Sequence, residues 1–168
     1  MLDIAIKYKE KLTEKVRDTW FREKYQFWNC TNFYEECQLA DSTWNNHQFV
    51  SVDDSGEVIG YIGYQIDRAN DVVCNLNIIN FSDNKVLFGL DAGRALRDIF
   101  EKFHFRKLTF SVVVGNPIEP TYDRLIQKYG GYVSGYQREQ IRLMDGNFYD
   151  EKLYEIMAAD YFRARAGL

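Results

Sequence analysis

Asp71-Val-Val-Cys-Asn-Leu-Asn-Ile-Ile-Asn-Phe81 opens the stretch that decides the fold, which runs on to Gly131. Its residues are rich in β-formers. Cys74, Leu76 and Ile78 alternate with Asn75 and Asn77, which predicts a strand with one apolar face and one amide face. Ser82-Asp-Asn-Lys85 is a turn. Leu96, Ile99, Phe100 and Phe103 then recur at helical spacing, which predicts a helix over 85–103. Lys107-Leu-Thr-Phe-Ser-Val-Val-Val-Gly115 reads as a second, more buried strand. Strand, helix and strand at this spacing form a βαβ unit with two parallel strands.

Asn116-Pro-Ile-Glu119 follows. Asn suits a helix N-cap, Pro the first helical position, and Glu three residues on can close a capping box, so a helix is expected to open at Pro117. Tyr122, Leu125, Ile126 and Tyr129 share one face of it. Gly130-Gly131 ends it, because glycine accepts the left-handed conformation that a helix C-terminus needs.

Outside this stretch, Leu2–Tyr8 alternates and reads as a first strand. Lys9–Trp28 reads as a charged helix with Leu12, Val16 and Trp20 along one face. Asn29–Cys37 is a short helix or an irregular turn, and Asp41-Ser-Thr-Trp-Asn-Asn46 a loop. His47–Val52 and Glu57–Ile66 are strands joined by the turn Asp53-Asp-Ser-Gly56. Gly60 and Gly63 in the return strand point to a bulge or a close approach by another backbone or a ligand. Tyr132–Leu143 and Phe148–Ala158 are strands around the turn Asp145-Gly-Asn147, and a basic tail ends the sequence. The sum is an α/β (α+β) fold with a mixed sheet of about seven strands, antiparallel at both ends and parallel in the middle, flanked by helices.

At 168 residues the length prior gives one domain. A net charge of -4 argues against broad contact with nucleic acid or an anionic membrane. No apolar run approaches the roughly 18 residues of a membrane helix, and no signal-peptide pattern opens the sequence. A cytoplasmic location is the expectation. Cys30, Cys37 and Cys74 show no CxxC spacing and read as free thiols. His47 and His104 form no metal pattern with them and read as structural, so no metal is expected. Ser111 lacks a nucleophile-elbow context and reads as packing. GxGxxG and Walker sequences are both missing and only one parallel crossover is expected, which argues against a nucleotide-binding Rossmann protein.

The order of elements resembles that of the GNAT N-acetyltransferases over nearly the whole chain. Three local matches accompany it. Gly-Glu-Val-Ile-Gly-Tyr-Ile-Gly (56–63) is similar to the family's hairpin and central strand. Asn-Ile-Ile-Asn-Phe (77–81), leading to Phe88-Gly89, resembles the strand and loop that hold the cofactor. Asn116 through Lys128-Tyr-Gly-Gly131 resembles the family's Asn-to-Tyr-x-Lys-x-Gly segment.

The resemblance implies acetyl-CoA as cosubstrate, seated in a V-shaped split between the central parallel strands. A substrate amine attacks the thioester directly. It implies cofactor contacts at Ile78, Ile79, Phe88, Gly89, Gly93, Arg94 and Asn116, with the pyrophosphate on backbone amides at a helix start. The family's phosphate loop reads Gln/Arg-x-x-Gly-x-Gly/Ala. Gly89-Leu-Asp91 and Gly93-Arg-Ala95 are the two candidate registers here, with Lys85 or Arg94 to supply charge. The family's thiolate acid, a tyrosine, falls at Ile126 counted back from Gly130 and near Asp123 counted forward from Asn116, and Tyr122, one turn before Ile126 on the same face, can substitute for it. Asn75 and Asn77 either line the acceptor cleft or face solvent. Trp20, Phe21, Tyr25, Phe27, Trp28, Phe33 and Tyr34 pack a core or line an amine pocket. The acceptor is a small-molecule amine or a protein or peptide amine, and an exposed C-terminal strand would suit a homodimer. A module that keeps the fold and binds CoA without catalysis is the alternative.

Overall fold

A computed structural model describes residues 1–29, 34, 36–83 and 85–167. Seven strands form one sheet in the order β1-β2-β3-β4-β5-β7-β6. They are β1 (Leu2–Ile4), β2 (Asn46–Val52), β3 (Val58–Asp67), β4 (Val72–Asn80), β5 (Lys107–Val113), β6 (Tyr132–Arg142) and β7 (Phe148–Met157). The β4–β5 pair is parallel and the other five are antiparallel. The five α-helices among the described residues are α1 (Lys9–Arg17), α2 (Gln26–Asn29), α3 (Lys85–Glu101), α4 (Glu119–Lys128) and α5 (Ala158–Arg165).

Adjacent residues of β3 serve different cores, as side chains on a pleated strand must. Tyr61 packs with Leu12 and Val16 of α1 and with Val50 and Ile79. Ile62 packs with Phe88 and Ala95 of α3. Further along, Tyr64, Ile66, Val73, Leu108, Phe110 and Tyr154 join Ile99 and Phe100 of α3, Ile126 of α4 and Tyr161 of α5. Each buried aliphatic or aromatic side chain contributes about 1.5–3 kcal/mol. The sheet is thus held by α1 through one core and by α3, α4 and α5 through the others.

Several expected boundaries move. The strand expected over Leu2–Tyr8 ends at Ile4, and Ala5–Tyr8 is a single 3-10 turn. There Asp3 accepts hydrogen bonds from the Ile4 N–H and Lys7, an i to i+4 arrangement that favours a turn over continued extension. The long helix expected over Lys9–Trp28 breaks after Arg17. Phe21 has a φ of 54°, which no helix accepts, and a 3-10 turn at Glu23–Tyr25 leads into the short α2. Most of Asn29–Cys37 lies outside the described residues. The helix expected to reach 103 stops at Glu101, where Lys102 and Phe103 both turn their N–H groups to the Asp98 carbonyl. The basic tail is not a tail: its first residues form α5, and Tyr161 stacks on Phe100 with ring centroids 4.6 Å apart.

The capping box is corrected in detail. The helix begins at Glu119, two residues after Pro117, with Pro120 in its first turn. Asn116 Oδ1 accepts from the Ile118 N–H at 3.1 Å, closing a turn ahead of the helix rather than capping it. The Glu119 carboxylate reaches back to the Gly115 N–H at 3.0 Å. At the other end the double glycine acts as expected. Gly130 takes a φ of 69° and Gly131 donates to the Ile126 carbonyl at 2.8 Å, the closure a left-handed glycine permits.

Candidate functional site

β4 and β5 are nine and seven residues long, yet they pair only at Val72–Lys107 and Val73–Leu108. Both run the same way and are joined at their starts, so they diverge toward their carboxyl ends. α3 follows β4 and α4 follows β5, which brings two helix N-termini to the open end of the split. Backbone groups that would have laddered across a closed sheet line it instead.

A bulge lies where β4 leaves its neighbour. Tyr64 of β3 stands opposite two residues of β4, Asn75 and Leu76, and Asn75 takes a φ of 51°. Asparagine tolerates this region better than most residues. The extra residue shifts the alternation expected for this strand. Val73 and Leu76 both pack toward Phe100, and Ile78 packs toward Phe88, while Ile79 turns to the α1 core. Cys74, Leu76 and Ile78 therefore do not form one continuous apolar face.

Both strand glycines are closely approached, Gly60 by the Phe88 ring and the Ile79 backbone and Gly63 by the Tyr61 side chain. A Cβ on Gly60 would lie 2.2 Å from the Phe88 ring. One on Gly63 would lie 2.3 Å from the Tyr61 hydroxyl oxygen. β3 also carries an irregularity at each end of this segment, opposite Ser51/Val52 and between Gly63 and Gln65.

In α3, the amide of Val86 belongs to the first turn, ahead of the helix's own ladder. Gly89 follows, and nothing lies within 4 Å of the Cβ position on it. Gly93 and Arg94 stand in the third turn, where backbone N–H groups serve the helix itself. Asp91, a carboxylate close to the expected phosphate position, points inward. Its Oδ2 accepts from Ser51 Oγ at 2.6 Å and lies 3.2 Å from the Met1 amine. Phe88 is buried on Gly60.

Tyr122 stands in the first turn of α4, its ring edge-on to Phe110 at 5.3 Å and to Tyr154 at 6.3 Å. Burial pushes its phenol up to about 12. Among the described residues its hydroxyl has no hydrogen-bond partner. Ile126 is buried one turn on. Asp123, beside Tyr122, accepts from Lys152 Nζ at 2.7 Å and from the Tyr154 hydroxyl at 2.9 Å. Glu119 accepts from the same ammonium at 3.2 Å. This cluster ties the start of α4 to β7, and no local pattern announces it, since the partners are some thirty residues apart.

Across the sheet a cavity of about 500 Å³ lies over β2, β3 and β4, roofed by residues 36–40 and walled by Trp28. Asn77, on the diverging part of β4, lines it and accepts from the Trp28 indole N–H. Asn75 stands one step back, donating to Gln65 Oε1 at 2.6 Å. Gln48 fixes the roof: it accepts from the Ala40 N–H at 2.8 Å and donates to the Gln38 carbonyl at 2.8 Å and to the Tyr61 oxygen at 2.9 Å. Burial, reinforced by Glu36, pushes the Cys37 thiol up to about 11, so it is a poor nucleophile at neutral pH. Of the crowded aromatics, Trp28 reaches the cavity and Tyr25 packs in the α1 core, while Phe21 and Tyr34 stack on each other at the surface. Phe33 lies outside the described residues.

His47 does not itself line the cavity. It sits among Phe49, Tyr64, Phe103 and Phe105, its Nδ1 2.9 Å from the Tyr64 hydroxyl. Among the described residues no cluster of His, Cys, Asp and Glu could hold a metal, and no helix is long and apolar enough to cross a membrane. Cys37 and Cys74 are free thiols; Cys30 lies outside the described residues.

No protein-family model and no curated protein matches the sequence. Solved structures do match the fold. A probable acetyltransferase shares 15% identity over 95% of this chain and 93% of that one, with a TM-score of 0.69. A chimera of spermidine N-acetyltransferase SpeG from Vibrio cholerae and hSSAT shares 19% over 96% and 98%, with a TM-score of 0.65. A second such chimera shares 22% over 72% and 74%, with a TM-score of 0.59. With its mixed seven-stranded sheet, its single parallel pair and the split inside it, the chain has the GNAT N-acetyltransferase fold.

Proposed function

We propose that this protein is an acetyl-CoA-dependent N-acetyltransferase acting on a primary amine. The divergence of β4 from β5 after only two paired positions carries the reading. It leaves strand-edge N–H and C=O groups inside the sheet, and an extended chain bearing amides, such as the pantetheine arm, satisfies them as an added strand would. The edge at Ile78 and Ile79 faces this role through its backbone, since their side chains are taken up by the two cores. At the open end, the first turn of α3 offers the Val86 amide and the positive end of its dipole to a pyrophosphate. Gly89 leaves that approach unobstructed, so the phosphates belong to its register rather than to that of Gly93. Lys85 at the helix start supplies charge. Asn116 orders the turn into α4 on the other side of the split.

The chemistry is acyl transfer. The amine nitrogen forms a bond to the thioester carbonyl carbon, the carbon–sulfur bond breaks, the nitrogen gives up a proton and the sulfur takes one. Tyr122 supplies the proton to sulfur. Its raised pKa keeps the phenol protonated at neutral pH, and its hydroxyl is not committed to another residue among those described. Lys152, Glu119 and Asp123 position the turn that carries it. Asn77 places the cavity over β3 and β4 beside the diverging strand, where an acceptor reaches the thioester.

Calorimetric titration with acetyl-CoA, followed by thiol release in the presence of amines, tests the reading. Saturable binding and amine-dependent thiol release are expected. Binding without release from any amine would leave a CoA-binding module, and absence of binding would remove the reading altogether.

A further inference from the structure

Ser111 of β5 donates to Glu151 Oε1 of β7 at 2.6 Å, across the antiparallel pair in which Val113 stands opposite Glu151. The side of the sheet on which they meet follows from the pleat. Leu108, Phe110 and Val112 pack into the core with α3, α4 and α5. Ser111 alternates with them and so faces the opposite side, that of α1 and α2. Asn77 of β4 shares this side with Ile79, which packs in the α1 core, and lines the cavity beside Trp28.

The bulge brings these residues level. Val73 pairs with Leu108, and Asn75 and Leu76 together make a single step, as they do opposite Tyr64. Leu76 is then level with Phe110, and both pack in the same core. Asn77 is level with Ser111, across the split. Asn77 and the Ser111–Glu151 pair therefore stand on the two edges of the split, on the side from which the cavity opens. Tyr122 is on the other side, edge-on to Phe110 and Tyr154.

The half-buried Glu151 is held through Oε1 by Ser111, and its Oε2 has no partner among the described residues. Glu155, on the same face, is committed at both oxygens, to Lys107 and to Tyr132. Glu36 belongs to the roof of the cavity, where Arg17 holds its Oε1.

Resting on the acetyltransferase reading, we infer that Glu151 receives the amine: its free oxygen holds the incoming nitrogen and takes its proton, and Ser111 orients it. The nitrogen lone pair forms the bond to the thioester carbonyl carbon. The nitrogen is then positively charged and far more acidic than a free alkylammonium, so a carboxylate can accept its proton. The electron pair of the carbon–sulfur bond leaves with sulfur, which Tyr122 protonates from the other face. Between turnovers Glu151 gives its proton to solvent and Tyr122 regains one.

The test follows thiol release from acetyl-CoA in the parent with amino-acid amides, a short peptide and linear polyamines, and takes the fastest of these to the variants. Acetyl-CoA affinity and melting temperature are measured alongside. Glu151→Gln should lower kcat/KM for the amine by at least about a hundredfold, with acetyl-CoA affinity held within about twofold. In Glu151→Ala, added formate should restore part of the rate, because a small carboxylate fits the vacated space and takes up the proton; a merely structural role gives no such rescue. Ser111→Ala should cost about three- to tenfold, and Glu36→Gln little. Should Glu151→Gln fold poorly, Glu151→Asp keeps the charge, withdraws it by one methylene and should still cost about tenfold. Turnover in Glu151→Gln within a few fold of the parent, or a Glu151→Ala rate that formate leaves unmoved, would overturn the inference and leave the transferase reading standing. A parent that neither binds acetyl-CoA nor releases thiol would overturn both.

Discussion

Lys152 Nζ lies 2.7 Å from Asp123 Oδ1, a bond that fastens the first turn of α4 to β7 although the lysine side chain is 9% exposed. Burial works against this ammonium, but the hydrogen bonds it donates to Asp123 and Glu119 outweigh it and hold the lysine charged well above its ordinary range. The bond from Lys152, helped by that from Tyr154, holds the Asp123 carboxyl below the usual range. Lys152→Met removes the ammonium and leaves two carboxylates facing an apolar wall. A loss of about 2–4 kcal/mol is expected, toward the lower end because Asp123 is partly exposed. Chemical denaturation of the variant measures it. The sign with pH is fixed as well. A carboxyl depressed in the folded state stabilises above its unfolded value of 3.8, and that contribution is lost as pH falls through and below it. The difference between parent and Lys152→Met should therefore shrink in acid.

Tyr122→Phe keeps the ring against Phe110 and removes only the hydroxyl. Loss of a positioned general acid costs about 10²–10⁴-fold. A CoA thiolate leaves fairly well unprotonated, so a fall in kcat of about a hundredfold is expected, with acetyl-CoA affinity unchanged. A change of only a few fold in kcat would assign Tyr122 to packing.

Gly89→Ala and Gly93→Ala separate the two phosphate registers. Alanine in a helix interior is favoured over glycine by about 0.5–1 kcal/mol, and neither new Cβ meets an obstacle closer than 3.6 Å. Both variants should melt higher. Only Gly89→Ala should weaken acetyl-CoA binding, as read by titration, because its methyl group enters the approach to the first turn of α3. Equal affinity in both variants would move the phosphates elsewhere.

His47 gives a pH dependence of another origin. Burial first, then Arg68 and Lys102, push its pKa below the ordinary 6.5. The unfolded chain therefore takes up a proton before the folded one does, and stability is expected to fall as pH drops from about 6.5 toward the lower folded value. Above 6.5 the histidine contributes no slope. Melting curves of the parent and of His47→Gln between pH 5 and 8 should converge at the acid end, roughly over the window set by that shift.

Periodicity made most of the sheet legible. The stripes Leu96, Ile99, Phe100 and Tyr122, Leu125, Ile126 placed α3 and α4, and Gly130-Gly131 placed the end of α4. What the pattern missed was geometry that no local period encodes. One residue with a positive φ, Phe21, ended a run of helical spacing early. A single bulge at Asn75 redistributed Cys74, Leu76, Ile78 and Ile79 between faces that strict alternation had kept apart. Asn77 was legible as a cleft candidate, but the bond it accepts from Trp28, far away in the sequence, was not. The glycines at 60 and 63 announced a close approach; only the fold says that Phe88 and Tyr61 make it.

Gly60→Ala tests that last contact and, with it, the seating of α3. The new Cβ would fall 2.2 Å from the Phe88 ring and 2.8 Å from the Ile79 carbonyl oxygen. Overpacking of this kind costs about 1–3 kcal/mol. Stability should fall by that amount in denaturant titration. Acetyl-CoA affinity should fall with it, since Phe88 anchors the turn that carries the Val86 amide. Unchanged stability would mean that Phe88 moves aside freely.

The central claim is transfer of an acetyl group to an amine, and the most direct measurement is free-thiol release from acetyl-CoA by the purified protein with and without a primary amine, with the acylated amine identified by mass spectrometry. Thiol release that depends on both protein and amine, with one N-acetylated amine formed per thiol, is the predicted result. Release no faster than in the absence of protein, across amino-acid amides, peptides and polyamines alike, would contradict it.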